Sequence, residues 1–158
     1  MLIIDGYNVI GAAGEFGLAL SLPDKEVRLL RLLSSFRSRR RSRRPMLVVF
    51  DGHYGRLAGG PRRYSELGIQ VEWSLGESAD AVIARRVGKA SNARGVEVVT
   101  SDEQVLRAIA GRGAKGIRSH EFLAEITRAF PDAASTEKPE ESSPAEVAAW
   151  LELFGDGR

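Results

Sequence analysis

The chain has 158 residues, of which 43% are hydrophobic, and a formal net charge of +2, which suits one globular α/β domain. It contains no cysteine and only two histidines, which excludes a disulfide framework and a thiolate metal site and argues against a histidine-rich zinc centre. No apolar run reaches the ~20 residues of a membrane span and no signal-peptide pattern is present, so we expect a cytoplasmic protein without a membrane partner.

The N-terminal half predicts two buried strands, with a helix between them and a long loop after them. Leu2 to Ile4 and Met46 to Phe50 are short uninterrupted apolar runs, as is typical of parallel strands covered on both faces. Residues 21–41 predict a helix. Its apolar face is predicted to carry Val27, Leu30, Leu33 and Phe36. Residues 51–68 are rich in glycine and arginine and have no regular period, which indicates a long functional loop.

The following segments alternate between strand and helix patterns. Residues 69–73 alternate in polarity and predict a third strand in a more exposed edge position. Strands are predicted over 96–100 and 116–119, and helices over 77–90, 102–111 and 120–130. Ser78 is a predicted N-cap, and Ser101 with Gln104 has the spacing of a capping box. This alternation predicts a parallel sheet with helices on both faces.

The C-terminal part is predicted to lie outside this domain, which takes up residues 1–130. Residues 131–143 are rich in Pro, Ser and Glu, which indicates an acidic linker. Residues 144–155 predict an amphipathic helix with Trp150 and Phe154 on its apolar face. We expect this helix to dock on the domain or on a partner, because its apolar face would otherwise be exposed.

Four aspartates are predicted to lie at one edge of the sheet. Asp5 follows the first strand and Asp51 follows the second. Asp80 lies in the first turn of the helix after the third strand, and Asp102 follows the fourth. The carboxyl ends of parallel strands meet at the edge where α/β proteins bind ligands. Carboxylates gathered there repel one another, and a divalent cation with oxygen ligands removes that cost, which favours Mg²⁺ or Mn²⁺ as the cofactor.

A metal in this position could activate water and stabilise the charge on a phosphodiester. Asn8 could position an acid or a phosphate oxygen, and Glu77 is a weaker candidate ligand. The structural alternative is that aspartate is favoured at helix starts by capping and the helix dipole alone, which would account for Asp80 and Asp102. Asp51 is followed by glycine, which is also common turn chemistry.

A run of arginines near residue 40 predicts contact with RNA phosphates. The run consists of Arg37, Arg39, Arg40, Arg41, Arg43 and Arg44. The predicted loop adds Arg56, Arg62 and Arg63, together with Tyr64 as a stacking ring. The alternatives are a solvated helix end for the run and an ordinary surface loop for the others.

Four segments in this order resemble the YacP-like group of NYN domains, which belong to the PIN-like superfamily of nucleases. They are LIIDGYNVIG, VVFDGHYG, GESADAVIARRV and VVTSDEQV. The resemblance covers residues 1–130. It implies a three-layer α/β/α sandwich with a PIN-like sheet, an acidic Mg²⁺ or Mn²⁺ site and endoribonuclease activity, in some members associated with the ribosome. It also implies a site formed by Asp5, Asp51, Asp80 and Asp102, with Asn8 and Ser101 as polar support. The segment between Gly52 and Leu67 departs from the pattern, which leaves the substrate choice open.

The sequence supports three functional hypotheses. The first is a metal-dependent endoribonuclease that hydrolyses RNA at the acidic edge. The second is an RNA- or ribosome-binding module without chemistry, which would use the arginine run. The third is a phosphoacceptor signalling domain, which needs a lysine after a late strand. Lys115 precedes its predicted strand instead, which argues against the third hypothesis.

Overall fold

A six-stranded sheet forms the centre of the structure, a computed structural model that describes residues 1–18, 20, 24–52 and 62–130. The strands are β1 (Leu2–Asp5), β2 (Met46–Phe50), β3 (Arg63–Glu66), β4 (Ile69–Trp73), β5 (Glu97–Val99) and β6 (Lys115–Ile117). They lie in the order β3-β4-β2-β1-β5-β6. The pair β3–β4 is antiparallel and the other described pairs are parallel, which confirms the predicted mainly parallel sheet.

Helices cover both faces of this sheet. They are α1 (Gly6–Ala13), α2 (Lys25–Arg39), α3 (Ala79–Gly88), α4 (Glu103–Ala110) and α5 (Ser119–Ala129). Helices α1, α2 and α5 share one core with Ile4, whereas α3 and α4 share the other core with Ile3. Adjacent residues of β1 therefore face opposite layers, as the alternation of side chains along a strand requires. The predicted three-layer α/β/α sandwich is confirmed.

The predicted loop over residues 51–68 is wrong in its last part, because that part contains strand β3. Leu67 and Gly68 form a two-residue turn between β3 and β4, and both have positive φ angles, 51° and 74°. This backbone is typical of tight hairpins, but the usual signal is Asn-Gly or Asp-Gly, which is absent here. Strand β4 consequently lies between β3 and β2, so the edge position predicted for it was also wrong.

Two helices differ from the expectations. Val27, predicted on the apolar face of α2, is 37% exposed. The buried face of α2 consists of Leu29, Leu30, Leu32, Leu33 and Phe36. Helix α1 was not predicted, since its sequence begins with glycine and contains a second one, both of which disfavour helix interiors. Gly6 is required there because a Cβ atom at this position would overlap the ring of Phe50.

Some predictions concern residues outside the described ranges. They include the linker over 131–143, the helix over 144–155, and Arg56. In the part of the chain that is described, no helix combines the length and the apolar character that crossing a membrane requires.

Candidate functional site

The candidate site lies beyond the carboxyl end of β1, at the centre of the sheet. The chain passes from β1 to β2 on one side, whereas β5 and β6 lie on the other side. The connections therefore diverge around β1, which creates the crevice where open α/β sheets bind ligands. Asp5 is the last residue of β1, and Asp51 directly follows β2. The fold thus brings the ends of separate segments to one edge.

Asp5 is the most buried of the four aspartates, with 8% of its surface exposed. Its Oδ1 accepts a hydrogen bond of 3.2 Å from the backbone N–H of Asn8, and its Oδ2 accepts one of 3.2 Å from the hydroxyl of Thr100. The pKa of Asp5 is raised to about 6, chiefly by burial and in smaller part by the charges of Asp80 and Asp102, whereas these two hydrogen bonds oppose the rise.

Asp51, Asp80 and Asp102 belong to the same negatively charged cluster as Asp5. Burial raises the pKa of Asp80, and the charges of Asp102 and Asp51 add to the rise. Oδ1 of Asp102 caps α4 by accepting from the backbone N–H groups of Gln104 and Val105. Capping accounts for the position of Asp102, but Ser78 caps α3, so Asp80 has no capping role. Capping therefore explains Asp102, whereas for Asp80, in the first turn of α3, the helix dipole is the part of the structural alternative that remains.

Two hydroxyl groups that follow strands hold Asp51 and Asp5 in place, and neither was predicted from the sequence. Ser74, buried after β4, donates to Oδ1 of Asp51 at 2.7 Å. Thr100, buried after β5, donates to Asp5 and accepts from the backbone N–H of Asp102. The available signal was position, since each is the first residue after a parallel strand at the same edge.

Asn8 connects α1 to two neighbouring loops. Its Oδ1 accepts from the backbone N–H of Ser101 at 2.8 Å and from the hydroxyl of Ser119 at 2.6 Å. Because a backbone N–H can only donate, the amide oxygen faces Ser101. The capping box predicted for Ser101 and Gln104 is wrong, since Asp102 caps α4 and the Ser101 hydroxyl accepts from the N–H of Ser119 instead. The geometry gives Asn8 and Ser101 a positioning role.

The donor set fits a hard divalent cation. The charges that raise the pKa values of Asp5 and Asp80 are those of other carboxylates, and a cation would relieve this repulsion. Within the described residues, however, no three His, Cys, Asp or Glu side chains are arranged so that they could hold an ion together. Mg²⁺ commonly binds through one or two carboxylates and keeps several waters. This binding mode, with few direct ligands, is the one that the arrangement fits.

Glu77 and two predicted RNA-binding arginines belong to a separate ion-pair cluster. Glu72 is fully buried, and Glu77 lies beside it. Four arginines contact these two glutamates: Arg62, Arg63, Arg85 and Arg86. A hydrogen bond from Arg85, assisted by Arg62, holds the pKa of Glu77 below its usual range. Glu77 is thus engaged in ion pairs with arginines instead of lying free to bind a cation.

The arginine run lies at the edge of the sheet opposite the four aspartates. Helix α2 ends at Arg39, and the run continues through Arg44 to the start of β2. Arg40 pairs with Glu125, and Arg44 pairs with Glu97 at the start of β5. The sequence pattern predicts that these arginines contact phosphates, but it does not indicate their distance from the acidic residues.

The chain is similar to one characterised group of proteins. The family model of the YacP-like NYN domain matches residues 2–151. A crystal structure of Rae1 (YacP) from Bacillus subtilis has a TM-score of 0.64 and 25% identity, and the match covers 97% of this chain and 89% of that chain. A mutant structure of the same protein has a TM-score of 0.61 and 26% identity, with 97% and 91% covered. No functionally curated protein matches the chain.

Proposed function

Since this chain belongs to the YacP-like NYN domain family, which is nuclease-like, we propose that it is a metal-dependent endoribonuclease. Its reaction is the hydrolysis of phosphodiester bonds in RNA at the edge that carries the four aspartates. Mg²⁺ or Mn²⁺ would be bound directly by one or two of Asp5, Asp51, Asp80 and Asp102 and through water by the others.

The observation that carries this proposal is the buried carboxylate of Asp5 beside other carboxylates. Burying a charge among like charges is costly, and its pKa of about 6 reflects this cost. The only hydrogen bonds to its oxygens within the described residues come from Asn8 and Thr100, neither of which is charged. A divalent cation would supply the missing positive charge.

The residues around the site would have separate roles in hydrolysis. When bound, Mg²⁺ or Mn²⁺ would polarise a phosphate oxygen and lower the pKa of a bound water. Asp5 is held in its orientation by the N–H of Asn8 and the hydroxyl of Thr100, and Asp51 is held by Ser74. One water is consumed for each bond: its hydroxyl group adds to phosphorus, the P–O bond to the leaving sugar oxygen breaks, and that oxygen takes up a proton.

The test is substitution of Asp5→Asn and Asp102→Asn, alone and together. Asparagine caps helices as well as aspartate does, so both variants should keep α1 and α4 while losing the negative charge. We expect cleavage of single-stranded RNA in Mg²⁺ or Mn²⁺ to fall to background, with an unchanged circular dichroism spectrum. Glu121→Gln, at an exposed carboxylate of α5, is the matched control and should retain activity. Undiminished cleavage by the double variant would exclude this site.

A second candidate function is an RNA- or ribosome-binding module without chemistry. It is favoured by the arginine run, which forms a basic surface remote from the aspartates. This function predicts salt-sensitive binding of RNA and no cleavage product. Retained binding after neutralisation of the run would argue against it.

A further inference from the structure

The arginine run and the aspartates are too far apart to act on the same phosphate. Strand β2 separates them, with Arg44 two residues before its start and Asp51 directly after its end. At about 3.3 Å per residue, the two edges are on the order of 20 Å apart. Charges interact strongly over only about 8 Å at physiological salt. The arginines therefore neither neutralise the aspartates nor contact the phosphate that is being cut.

The arginine edge, defined as Arg37, Arg39, Arg40, Arg41, Arg43 and Arg44, has a surplus of positive charge. Within the described residues, two of these six guanidinium groups are paired with carboxylates, Arg40 with Glu125 and Arg44 with Glu97. Six cations against two anions leave a surplus of four positive charges. Lys115, which lies 3.5 Å from Glu97, extends the basic surface. A surplus of this size within one short segment is typical of surfaces that bind a polyanion.

The shape of the arginine edge favours contact with phosphates over the reading of bases. Arg37, Arg40 and Arg44 line a groove of about 300 Å³. Its floor includes Phe36 and Phe122, which are 6% and 2% exposed and pack edge to face. Such buried rings offer little surface for base stacking. Arg40 and Arg44 are oriented by ion pairs with Glu125 and Glu97, which also line the groove, and Arg37 by a hydrogen bond to the carbonyl of Gly68. Their remaining N–H groups can donate to phosphate oxygens.

The three other arginines extend the arginine edge into solvent. Arg39, Arg41 and Arg43 are exposed, and none of them pairs with a carboxylate within the described residues. Arg39 lies over the ring of Phe130 at 5.1 Å, an arrangement that leaves its charge intact. These three side chains are therefore available to a long flexible anion.

We propose that the arginine edge is a second contact for RNA, which holds a segment of the same strand whose scissile phosphate lies at the aspartates. This inference rests on the proposed function. A stacked strand advances about 3.4 Å per nucleotide, so about six nucleotides or more must separate the two contacts. Short RNA reaches only one edge, whereas long RNA is held at both. The affinity for RNA and the efficiency of cleavage consequently depend on RNA length.

The test combines an arginine variant with two lengths of RNA. The variant carries Arg39→Gln, Arg41→Gln and Arg43→Gln, and the single-stranded RNAs have about 4 and about 30 nucleotides, below and well above the required span. The dissociation constant is measured by fluorescence anisotropy in EDTA, where no hydrolysis occurs. The value of kcat/KM is measured separately in Mn²⁺.

We expect the arginine variant to lose cleavage efficiency on the long RNA alone. Each lost phosphate contact makes the slope of log K against log salt shallower by about 0.7, so three contacts change it by about 2 and weaken binding by up to about 100-fold at 0.1 M salt. The kcat/KM value should fall for the long RNA through KM, with kcat unchanged. Cleavage of the short RNA, which can reach the aspartates without reaching the arginine edge, should not change.

The matched control removes three charges elsewhere. Arg94, Arg107 and Arg112 are exposed beside α4, on the face of the sheet opposite to α2, and their joint replacement by glutamine should have little effect on long RNA. An equal loss in this control, an equal loss in cleavage of the short RNA, or unchanged binding of the long RNA by the arginine variant would each overturn the inference. If the unmodified protein binds long RNA through the arginine edge but cuts none, the proposed function fails while this contact is supported.

Discussion

Replacing Asp5 by asparagine should stabilise the metal-free protein while it abolishes the proposed activity. Asp5 is 8% exposed at the end of β1, and burial raises its pKa from 3.8 to about 6. Asparagine has nearly the same shape, carries no charge, and can still accept the hydrogen bond from the N–H of Asn8 that starts α1. The substitution therefore removes the cost of a buried charge without removing the helix cap.

The sign and size of this change in stability follow from the linkage between proton binding and folding. The folded state holds the Asp5 proton more tightly than the unfolded state does, so the free energy of unfolding falls as pH rises from about 4 to about 6 and then levels off. A tenfold change in proton affinity is worth about 1.4 kcal/mol, so the full cost of the ionised group is about 3 kcal/mol. Asp5→Asn should therefore raise the free energy of unfolding by about 2–3 kcal/mol at pH 8 and by well under 1 kcal/mol at pH 4.

Denaturant unfolding in EDTA across this pH range measures the difference between the unmodified protein and the variant. Glu121→Gln removes one exposed carboxylate and is the matched control, for which we expect a difference near zero at every pH. Adding Mn²⁺ should stabilise the unmodified protein and not Asp5→Asn, because binding to the folded state alone adds to its stability.

A stability difference that does not change with pH, or a variant that is less stable than the unmodified protein at pH 8, would contradict an uncompensated buried charge at Asp5. Either result would mean that the Asp5 carboxylate is compensated in the folded state, and the electrostatic argument for a cation at this edge would lose its basis.

Two further substitutions test the hydrogen bonds at the site and the separate ion-pair cluster of Glu72. Thr100→Val should raise the pKa of Asp5 beyond about 6, because it removes a hydrogen bond that favours the charged form, and Mn²⁺ binding measured against pH should shift upward. It should also destabilise the fold by about 1–3 kcal/mol in denaturant unfolding, since the N–H of Asp102 loses its acceptor. Glu72→Gln should lower the free energy of unfolding by about 2–3 kcal/mol in the same assay. This loss is smaller than that for a fully buried pair, because Arg86 and the other partners are partly exposed. An unchanged midpoint would contradict this.

The positions of the aspartates could be predicted because strand and helix patterns are local. The apolar runs before Asp5 and Asp51 indicated parallel strands, and parallel strands carry their carboxyl ends to one edge. That inference needed neither the order of the strands nor their partners. The roles of the aspartates as metal ligands stay predictions.

The groups that hold the aspartates could not be predicted in the same way. Thr100 is far from Asp5 in sequence, and Ser74 is far from Asp51, yet each donates a hydrogen bond to that aspartate. Serine and threonine follow strands and precede helices in many loops for local reasons. Nothing in one sequence distinguishes a hydroxyl that caps its own turn from one that reaches across the sheet.

The sequence by itself determined the alternation of elements, and with it the layered fold and the edge where the aspartates lie, because hydrophobic periodicity is a property of consecutive residues. Only the tertiary structure decided that the arginine edge lies opposite the aspartates and that Arg62 pairs with Glu77. It also decided that β3 covers β4, through a turn at Leu67 and Gly68 that lacks the usual residues. Strand order and ion pairing depend on contacts between distant segments, and such contacts leave no periodic trace in the chain.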